Sequence, residues 1–342
     1  FEEYQPNINR LNMKKGLTII ALLLFFTSCK DAKESFVLAN SLGKSNQLLV
    51  VTELKDWKGE IGNDLRTFLG EFVVGLPQPE TTFSVTQIAP TGFGSMVNKS
   101  RNILIVQKGT KVSFEVKYDY FAKPQTIIYV TAPDKESLAA QLKKHKKEIV
   151  KTFRDTDIKH VQSRFMKTKV DNTKYKTLTT LGISLTIPNS FRTVDDTGDF
   201  LWLRHHLMSR LTRGDGTNNI LVYSMPLTEE FDLDVNNSVI KHRNTIGEKY
   251  IPGSKEGMYM ITEAAFTPQT KETILDNKQA FETRGKWEVK NNFMAGPFLN
   301  YNIIDKKNNR IIVVEGFTYA PSVNKRDFIF ELEAIAKSIV IK

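Results

Sequence analysis

The stretch FLNYNIIDKKNNRIIVVEGFTY, at residues 298–319, is the part of the sequence that decides the fold. It contains two apolar runs, Phe298–Asp305 and Arg310–Tyr319, on either side of the polar segment 306–309. Two strand-like runs joined by a short polar turn are typical of a β-hairpin. Because the strands of a hairpin run in opposite directions, the sequence predicts an antiparallel sheet here.

Further strand and helix patterns surround this hairpin in the second half of the chain. A helix is expected over 234–246, and a closing helix carries Phe328, Leu332 and Ile335 on one face, at the spacing of a 3.6-residue period. The second half is thus predicted to combine a sheet with two packed helices. Its other strands are expected at 182–187, 199–205, 219–224, 258–266 and 279–289.

The first half shows a similar mixture of patterns. One helix is expected to follow Asp56 as its N-cap and to run from Trp57 to Phe72 with its apolar residues on one face. A second helix is expected to begin after Asp134, and a strand near 160–167 is expected to close this half. The other strands are expected at 47–52, 82–88, 102–107, 111–118 and 125–132.

Strands grouped around a few helices predict an α+β fold rather than a doubly wound parallel sheet. We expect two domains, each a mainly antiparallel sheet with one or two packed helices, since the chain suffices for two units of roughly 150 residues. The first domain is placed at 47–168 and the second at 177–342, joined by the polar linker 169–176. Whether the two domains arose by duplication stays open.

The N-terminal region carries the pattern of a secretory signal. Met13 is followed by two lysines and the apolar run 17–26, and small residues then lead into Cys29. This order is typical of a signal peptide, here 13–28. The apolar run is too short to span a bilayer, which takes roughly 20 residues. Residues 1–12 lack this character, and we interpret them as upstream sequence translated in error.

Cys29 is the only cysteine of the chain. The ending Phe26-Thr27-Ser28-Cys29 resembles the lipobox of bacterial lipoproteins, in which the cysteine is acylated and becomes the new N-terminus. The resemblance implies a lipid on Cys29, a tether over 29–46, and attachment to the cell envelope, at the periplasmic or surface face of the outer membrane. Several acyl chains are what stable anchoring needs. Lipidation also explains an odd cysteine in an exported chain.

The chain is basic, with 48 Lys and Arg against 38 Asp and Glu and a net charge of +10. A basic excess can indicate a nucleic-acid or anionic partner. Here the charge is spread along the sequence, and its densest cluster, 143–147, lies in a predicted helix. Since an exported protein rarely meets nucleic acid, we expect a solvated basic surface and no nucleic-acid partner.

The common catalytic and cofactor signatures do not occur in the sequence, among them HExxH, GxSxG, GxGxxG and the P-loop GK[ST]. The adjacent His205 and His206 fall on one predicted strand, so their side chains point to opposite sides and cannot share one metal ion. We therefore expect neither a metal site nor a cofactor. A non-catalytic protein is favoured, although an enzyme stays open.

Charged and aromatic residues are densest in two of the predicted strands. Trp202 and Arg204 lie in one of them, and Glu282, Arg284 and Trp287 lie in the other. Tryptophan beside arginine is typical of binding hot spots and can stack on sugars. These five residues form the candidate binding surface. The alternative is a structural role, because the same alternation fits the two faces of a packed sheet.

Two functions remain open at this stage. The favoured one is a membrane-anchored envelope lipoprotein that binds a protein or glycan partner without catalysis. The alternative is a hydrolase that acts on a cell-envelope polymer through carboxylates such as Glu282 and Glu288. That chemistry requires two carboxyl groups roughly 5–9 Å apart in a cleft.

Five longer stretches resemble a family of Bacteroidota envelope lipoproteins defined by a domain of unknown function. The resemblance covers both halves, supports the envelope location and transfers no catalytic residue. The second half is also similar in pattern to the α/β/α sandwich of Mog1- and PsbP-type proteins, with GISLTIP as the opening strand. The family stretches are WKGEIGNDLRTFLG at 57–70, GLPQPETTFSVTQI at 75–88, GISLTIPNSFRT at 182–193, ETRGKWEVKNNFMAGPF at 282–298 and VEGFTYAPSVNKRDFIFELEAI at 314–335.

Overall fold

The computed structural model describes residues 38–207, 215–229, 231, 234–321 and 323–342. The predicted upstream extension 1–12, the signal peptide 13–28, Cys29 and most of the tether lie outside the described residues. From Ala39 onward the chain forms one compact unit, so the two halves can be compared directly. Within the described residues no helix is long and apolar enough to cross a membrane.

The first half is built on a five-stranded sheet with the order β3-β2-β4-β7-β5. Two short strands, β1 and β6, pair with each other beside it. The strands are β1 (Ala39–Asn40), β2 (Gln47–Val51), β3 (Ser84–Ile88), β4 (Asn102–Lys108), β5 (Ser113–Tyr118), β6 (Ala122–Lys123) and β7 (Thr126–Ala132).

The mixed class of helices and strands is confirmed, but the antiparallel sheet predicted for the first half is wrong. Strand β2 runs parallel to both β3 and β4, and β4 runs parallel to β7. Only β5 is antiparallel to its neighbour β7. The reason is burial on both faces, which favours continuous apolar runs such as ILIV at 103–106 and parallel pairing through crossover connections.

Three helices belong to the first half, namely α1 (Leu54–Trp57), α2 (Glu60–Leu69) and α3 (Lys135–Met166). The single helix predicted from Trp57 to Phe72 is therefore wrong at both ends. Asp56 lies inside α1 rather than at an N-cap, and Gly59 starts α2. The helix ends before Gly70, so Phe72 leaves the apolar face and is 64 % exposed.

Helix α3 begins where predicted, with the Asp134 side chain accepting a hydrogen bond from the Ser137 amide. The strand expected near 160–167 is wrong, because α3 continues to Met166. Ile158 and Val161 extend the helical apolar face and pack against the closing helix of the second half. A partner surface supplied by the other half thus keeps this segment helical.

The second half contains an eight-stranded sheet in which every pair is antiparallel. Its order is β12-β14-β15-β16-β11-β10-β9, with β13 also paired to β14. The predicted hairpin is confirmed, since Phe298 faces Phe317 and Asp305 faces Arg310. The eight strands are β9 (Arg192–Asp196), β10 (Phe200–His206), β11 (Thr217–Pro226), β12 (Met260–Thr262), β13 (Gln269–Leu275), β14 (Lys278–Val289), β15 (Ala295–Asp305) and β16 (Arg310–Tyr319). Two further short strands, β8 (Ile183–Ser184) and β17 (Val340–Ile341), pair separately with each other.

Helices cover both faces of this sheet and make three layers. The helices are α4 (Lys176–Leu181), α5 (Val235–Tyr250) and α6 (Arg326–Ala336). Helices α4 and α6 share one core with the sheet, and α5 shares another core on the opposite face. The predicted linker 169–176 contains a short 3-10 turn, and its last residue begins α4. Its Tyr175 is buried and joins the α4–α6 core.

Candidate functional site

The two tryptophans of the candidate surface lie on the α5 side of the large sheet. Trp202 on β10 and Trp287 on β14 are both buried in the core that also contains Val239 of α5. Alternation along the strands gives them this face, since neighbouring residues such as Leu201 and Leu203 belong to the core of the opposite face. The strand pattern therefore brings together two residues that are 85 positions apart in the sequence.

A cavity of about 540 Å³ opens beside these tryptophans. Its apolar walls include Ile251 and Met260, and seven of its seventeen lining residues are polar or charged. The central lining residues are Trp202, Arg204, Asn219, Trp287, Phe317 and Tyr319. A concave shape with aromatic walls and polar groups placed between them is what small-molecule sites have in common.

Arg204 and Trp202 form a stacked pair in the cavity wall. The guanidinium carbon of Arg204 lies 4.7 Å from the centroid of the Trp202 ring. The Asn219 side-chain oxygen accepts hydrogen bonds from Trp202 Nε1 at 3.0 Å and from Arg204 Nε at 3.2 Å. Burial lowers the pKa of Arg204. One amide oxygen thus holds both the ring and the cation in place.

Trp287 is held by tight packing rather than by a strong hydrogen bond. Its ring meets Phe317 edge-on with a centroid distance of 5.3 Å, and its Nε1 donates to the Thr318 carbonyl at 3.3 Å. A Cβ on Gly296 would lie 2.1 Å from that carbonyl oxygen and 3.0 Å from Trp287 Nε1. Glycine at 296 is therefore required for the ring to occupy this wall.

Glu282 and Arg284 lie on the other side of the sheet, away from this cavity. Arg284 Nε donates to Glu282 Oε1 at 2.7 Å, and its Nη2 donates to Glu333 of α6 at 2.7 Å. Glu333 also accepts from Arg154 of α3 at 2.6 Å, while Glu282 accepts from the Tyr301 hydroxyl at 2.9 Å. The candidate surface is thus two sites: an aromatic cavity and a buried charge network.

The charge network keeps both of its carboxylates ionised. Burial opposes ionisation of Glu282, but the positive charge of Arg284 and of two nearby lysines outweighs it and lowers the pKa to about 2. Burial also opposes ionisation of Glu333, but the positive charges of Arg154 and Arg284 outweigh it and hold the pKa of Glu333 well below its ordinary value. A catalytic pair needs one acid and one base with pKa values driven apart. Here both values move in the same direction.

The pair considered for hydrolysis, Glu282 and Glu288, is also too far apart. The two residues lie six positions apart on the single strand β14, which corresponds to roughly 20 Å at about 3.3 Å per residue. Glu282 is buried and engaged by Arg284 and Tyr301. The geometry of β14 therefore offers no pair of carboxyl groups for glycoside cleavage.

A second buried ion pair, which the sequence predictions did not include, lies on the α5 side of the sheet. Arg243 of α5 donates to both oxygens of Glu315 on β16, at 2.8–3.0 Å, and Glu315 is 0 % exposed. Asn300 Nδ2 also donates to Glu315 at 2.8 Å. The available signal was a glutamate inside the apolar run RIIVVEGF, because a charge at such a position requires a partner.

A separate cavity of about 630 Å³ lies between the two halves, and most of its charged groups are paired inside the protein. Arg101 lies 3.6 Å from the buried Asp157, and Arg164 donates to Glu331 at 2.7 Å. Burial and the charges of the nearby basic residues lower the pKa of His160 in its wall to about 4. The paired charges indicate a structural role for this region.

The histidines and acidic residues form no metal centre in the part of the chain that the structure describes. His206 lines the aromatic cavity, whereas His205 lines the cavity between the halves. The prediction that these neighbours point to opposite sides of their strand is confirmed.

Comparisons with known proteins assign domains but no activity. Residues 41–166 match the model of a domain of unknown function (DUF8532), and residues 169–338 match that of another domain of unknown function (DUF4837). Each half therefore matches the model of a domain of unknown function, in line with the resemblance seen in the sequence. No curated protein sequence matches the chain.

Two solved structures show a distant likeness. The Ran-binding protein Mog1p of Saccharomyces cerevisiae is 9 % identical, with 47 % of this chain and 90 % of that chain covered and a TM-score of 0.32. A protein of Bacteroides thetaiotaomicron is 8 % identical, with 47 % of this chain and 45 % of that chain covered and a TM-score of 0.19. The chain thus spans less than half the length of the Bacteroides protein.

Proposed function

We propose that this chain, whose two halves are each a domain of unknown function, is a membrane-anchored binding module of the cell envelope. The anchor is the lipid on Cys29, and the binding site is the aromatic cavity beside Trp202 and Trp287. The ligand is a small molecule, or one group of a larger envelope protein or glycan, that fits a space of about 540 Å³.

The aromatic cavity is the observation that carries the binding role. Ligand sites typically measure roughly 300–1,000 Å³ and combine apolar walls with a few polar groups that orient the ligand. The cavity has this size, and Arg204, Asn219 and Thr217 supply polar groups between aromatic walls. Tryptophan, tyrosine and arginine are also enriched among the residues that contribute most of the binding energy at protein–protein interfaces.

The state of the carboxylates supports binding without catalysis. Glu282 and Glu333 are held ionised by ion pairs, so neither can act as a general acid near neutral pH. The aromatic cavity has one carboxylate among its lining residues, Asp215, and it is exposed. A pair of acids with separate roles is therefore missing from this wall as the structure describes it.

Binding at the cavity is tested with an uncharged aromatic dye. We expect N-phenyl-1-naphthylamine to bind the purified protein with increased emission, because it matches the apolar walls. The substitution Ser254→Trp at the exposed rim should weaken binding by about tenfold, since the added ring fills the space. Dye titration followed by fluorescence gives both affinities.

The matched control is Ser113→Trp on β5, which makes the same chemical change far from the cavity in the first half. It should bind the dye as the unaltered protein does. Absence of dye binding to the unaltered protein, or equal binding by Ser254→Trp, would contradict the proposed site.

The anchor is tested by Cys29→Ser and cell fractionation. The thiol of Cys29 is the only group in the chain that can accept a thioether-linked lipid, so its loss should move the protein from the membrane to the soluble fraction. Ser28→Ala is the control, because it keeps a small residue before the cysteine and should stay in the membrane. If the serine variant remains in the membrane as well, the lipoprotein proposal is wrong.

A further inference from the structure

Arg204 differs from the other buried or half-buried arginines of the described chain in lacking a carboxylate partner. Its Nε donates to Asn219 and its guanidinium carbon lies over the Trp202 ring, and it takes part in none of the ion pairs among the described residues. Each of the others pairs with an acid: Arg101 with Asp157, Arg154 with Glu333, Arg243 with Glu315, Arg284 with Glu282, Arg310 with Asp305 and Arg326 with Asp327.

Leaving this cation unpaired is costly in the free protein. A guanidinium taken partly out of water loses hydration, and a protein normally restores the loss with an opposite charge. Burial lowers the pKa of Arg204 without any neighbouring carboxylate to offset it. Arginine nevertheless stays protonated in proteins, so the site presents a permanent positive charge.

The surroundings of Arg204 define what can neutralise it. The guanidinium is planar and matches the two oxygens of a carboxylate. Trp287, Phe317 and Tyr319 belong to the lining of the same cavity. Asp215 also lines the cavity, but it is exposed and forms no ion pair with Arg204. A ligand that satisfies both features carries an anionic group and a ring with a face that can stack on an aromatic wall.

We infer that the cavity takes a small ring-bearing organic anion, with its carboxylate on Arg204 and its ring against the aromatic walls. The inference rests on the proposed function, because it names the class of ligand for the same site. Two sources share this chemistry, an aromatic acid and a sugar acid of the envelope.

Two pairs of probes separate the charge from the ring. 2-Naphthoate is compared with the neutral 2-naphthamide, and N-acetylmuramic acid is compared with the neutral N-acetylglucosamine, by calorimetric titration of the purified protein. We expect at least one acid to bind about tenfold or more tighter than its neutral counterpart. A preference in the naphthalene pair identifies an aromatic acid, and a preference in the sugar pair identifies a sugar acid.

Variants of the cavity assign the preference to Arg204. Arg204→Gln should bind acid and neutral probe alike, while Arg204→Lys should retain a reduced preference for the acid because it keeps the charge. Asp215→Asn, which removes the cavity's own carboxylate, should bind the acids at least as tightly as before. Dye binding by every variant shows that the cavity is intact.

The outcomes distinguish this inference from the proposed function. If the uncharged dye fails to bind, the proposed function fails and the inference falls with it. If the dye binds but neither acid binds more tightly than its neutral counterpart, the cavity is still a binding site and the inference of an anionic ligand is wrong. A preference that survives in Arg204→Gln also overturns the inference.

Discussion

The network around Arg284 shows how single residues are coupled through burial. Arg284 touches Glu282 on its own strand and Glu333 on α6, and both carboxylates gain more from their cations than burial costs them. The pKa of Glu282 falls from its ordinary 4.5 to about 2. A carboxylate with a depressed pKa stabilises the folded state above its ordinary pKa, and that contribution is lost as the pH falls toward the depressed value.

This network predicts how stability depends on pH. The free energy of unfolding should decrease as the pH falls from about 4.5 toward 2, and Glu282 should account for about 3 kcal/mol of that decrease. Glu282→Gln should therefore be less stable than the unaltered protein at pH 7, and the two should converge near pH 2. Urea unfolding at a series of pH values measures both curves. Glu60→Gln, which changes an exposed glutamate, is the control and should behave as the unaltered protein. If the pH curve of Glu282→Gln runs parallel to that of the unaltered protein, the predicted contribution of Glu282 to the pH dependence is wrong.

At the scale of elements, α3 has two different apolar environments along one helix. Its N-terminal part buries Leu138, Leu142 and Phe153 against the first sheet, and Phe153 meets Phe83 edge-on at 6.3 Å. Its C-terminal part packs against α6. The outward face is exposed and rich in lysine, so its side chains contribute little to the core.

We therefore expect substitutions on the buried face of α3 to destabilise the protein much more than substitutions on its exposed face. Phe153→Ala should lower the free energy of unfolding by about 3–5 kcal/mol, because the ring is fully buried and its loss leaves a cavity. Phe153→Leu should lower the free energy of unfolding by less, because leucine fills part of the space. This variant tests the same packing if the alanine variant does not fold. Lys151→Ala, on the exposed face, should change stability by less than about 0.5 kcal/mol. Urea denaturation measures all three, and a small loss at Phe153 would contradict the packing.

At the scale of the whole molecule, contacts across the halves bind them into one unit. Val161 of α3 packs with Phe330 of α6, and Arg154 pairs with Glu333. Glu80 of the first half accepts hydrogen bonds from the amides of Lys325 and Arg326 at 2.7 and 3.0 Å, where α6 begins. The first half therefore supplies both a packing surface and an N-terminal cap for the closing helix of the second.

These contacts predict that the two halves unfold together. Hydrogen exchange with mass spectrometry along a urea series should give the same midpoint for peptides from β4 and from β16. Val161→Asp places a charge in the contact and should separate the midpoints, and the milder Val161→Ala should lower the common midpoint. Ser163→Asp, on the exposed side of the same helix, is the control. Separate midpoints in the unaltered protein would mean that the halves are independent.

The sequence alone determined the features that depend on neighbours along the chain. The hairpin at 298–319, the start of α3 at Asp134 and the opposite directions of His205 and His206 all follow from local turn chemistry and from the two- and 3.6-residue periods. The α+β class followed from the order of these elements. Such signals are readable because they involve residues close together in the sequence.

Only the tertiary structure decided which elements lie side by side. The parallel pairing of β2, β3, β4 and β7, the continuation of α3 through 160–166 and the partnership of Arg243 with Glu315 all depend on residues far apart in the chain. The same holds for the candidate surface. Alternation put Glu282 and Arg284 on one face of β14 and Trp287 on the other. Only the strand order and the helices on each face made one side an ion-pair network, with a cleft of about 1240 Å³ beside it, and the other the aromatic cavity. Burial against distant surfaces is the physical reason, because a local pattern states which side of an element is apolar and not what will cover it.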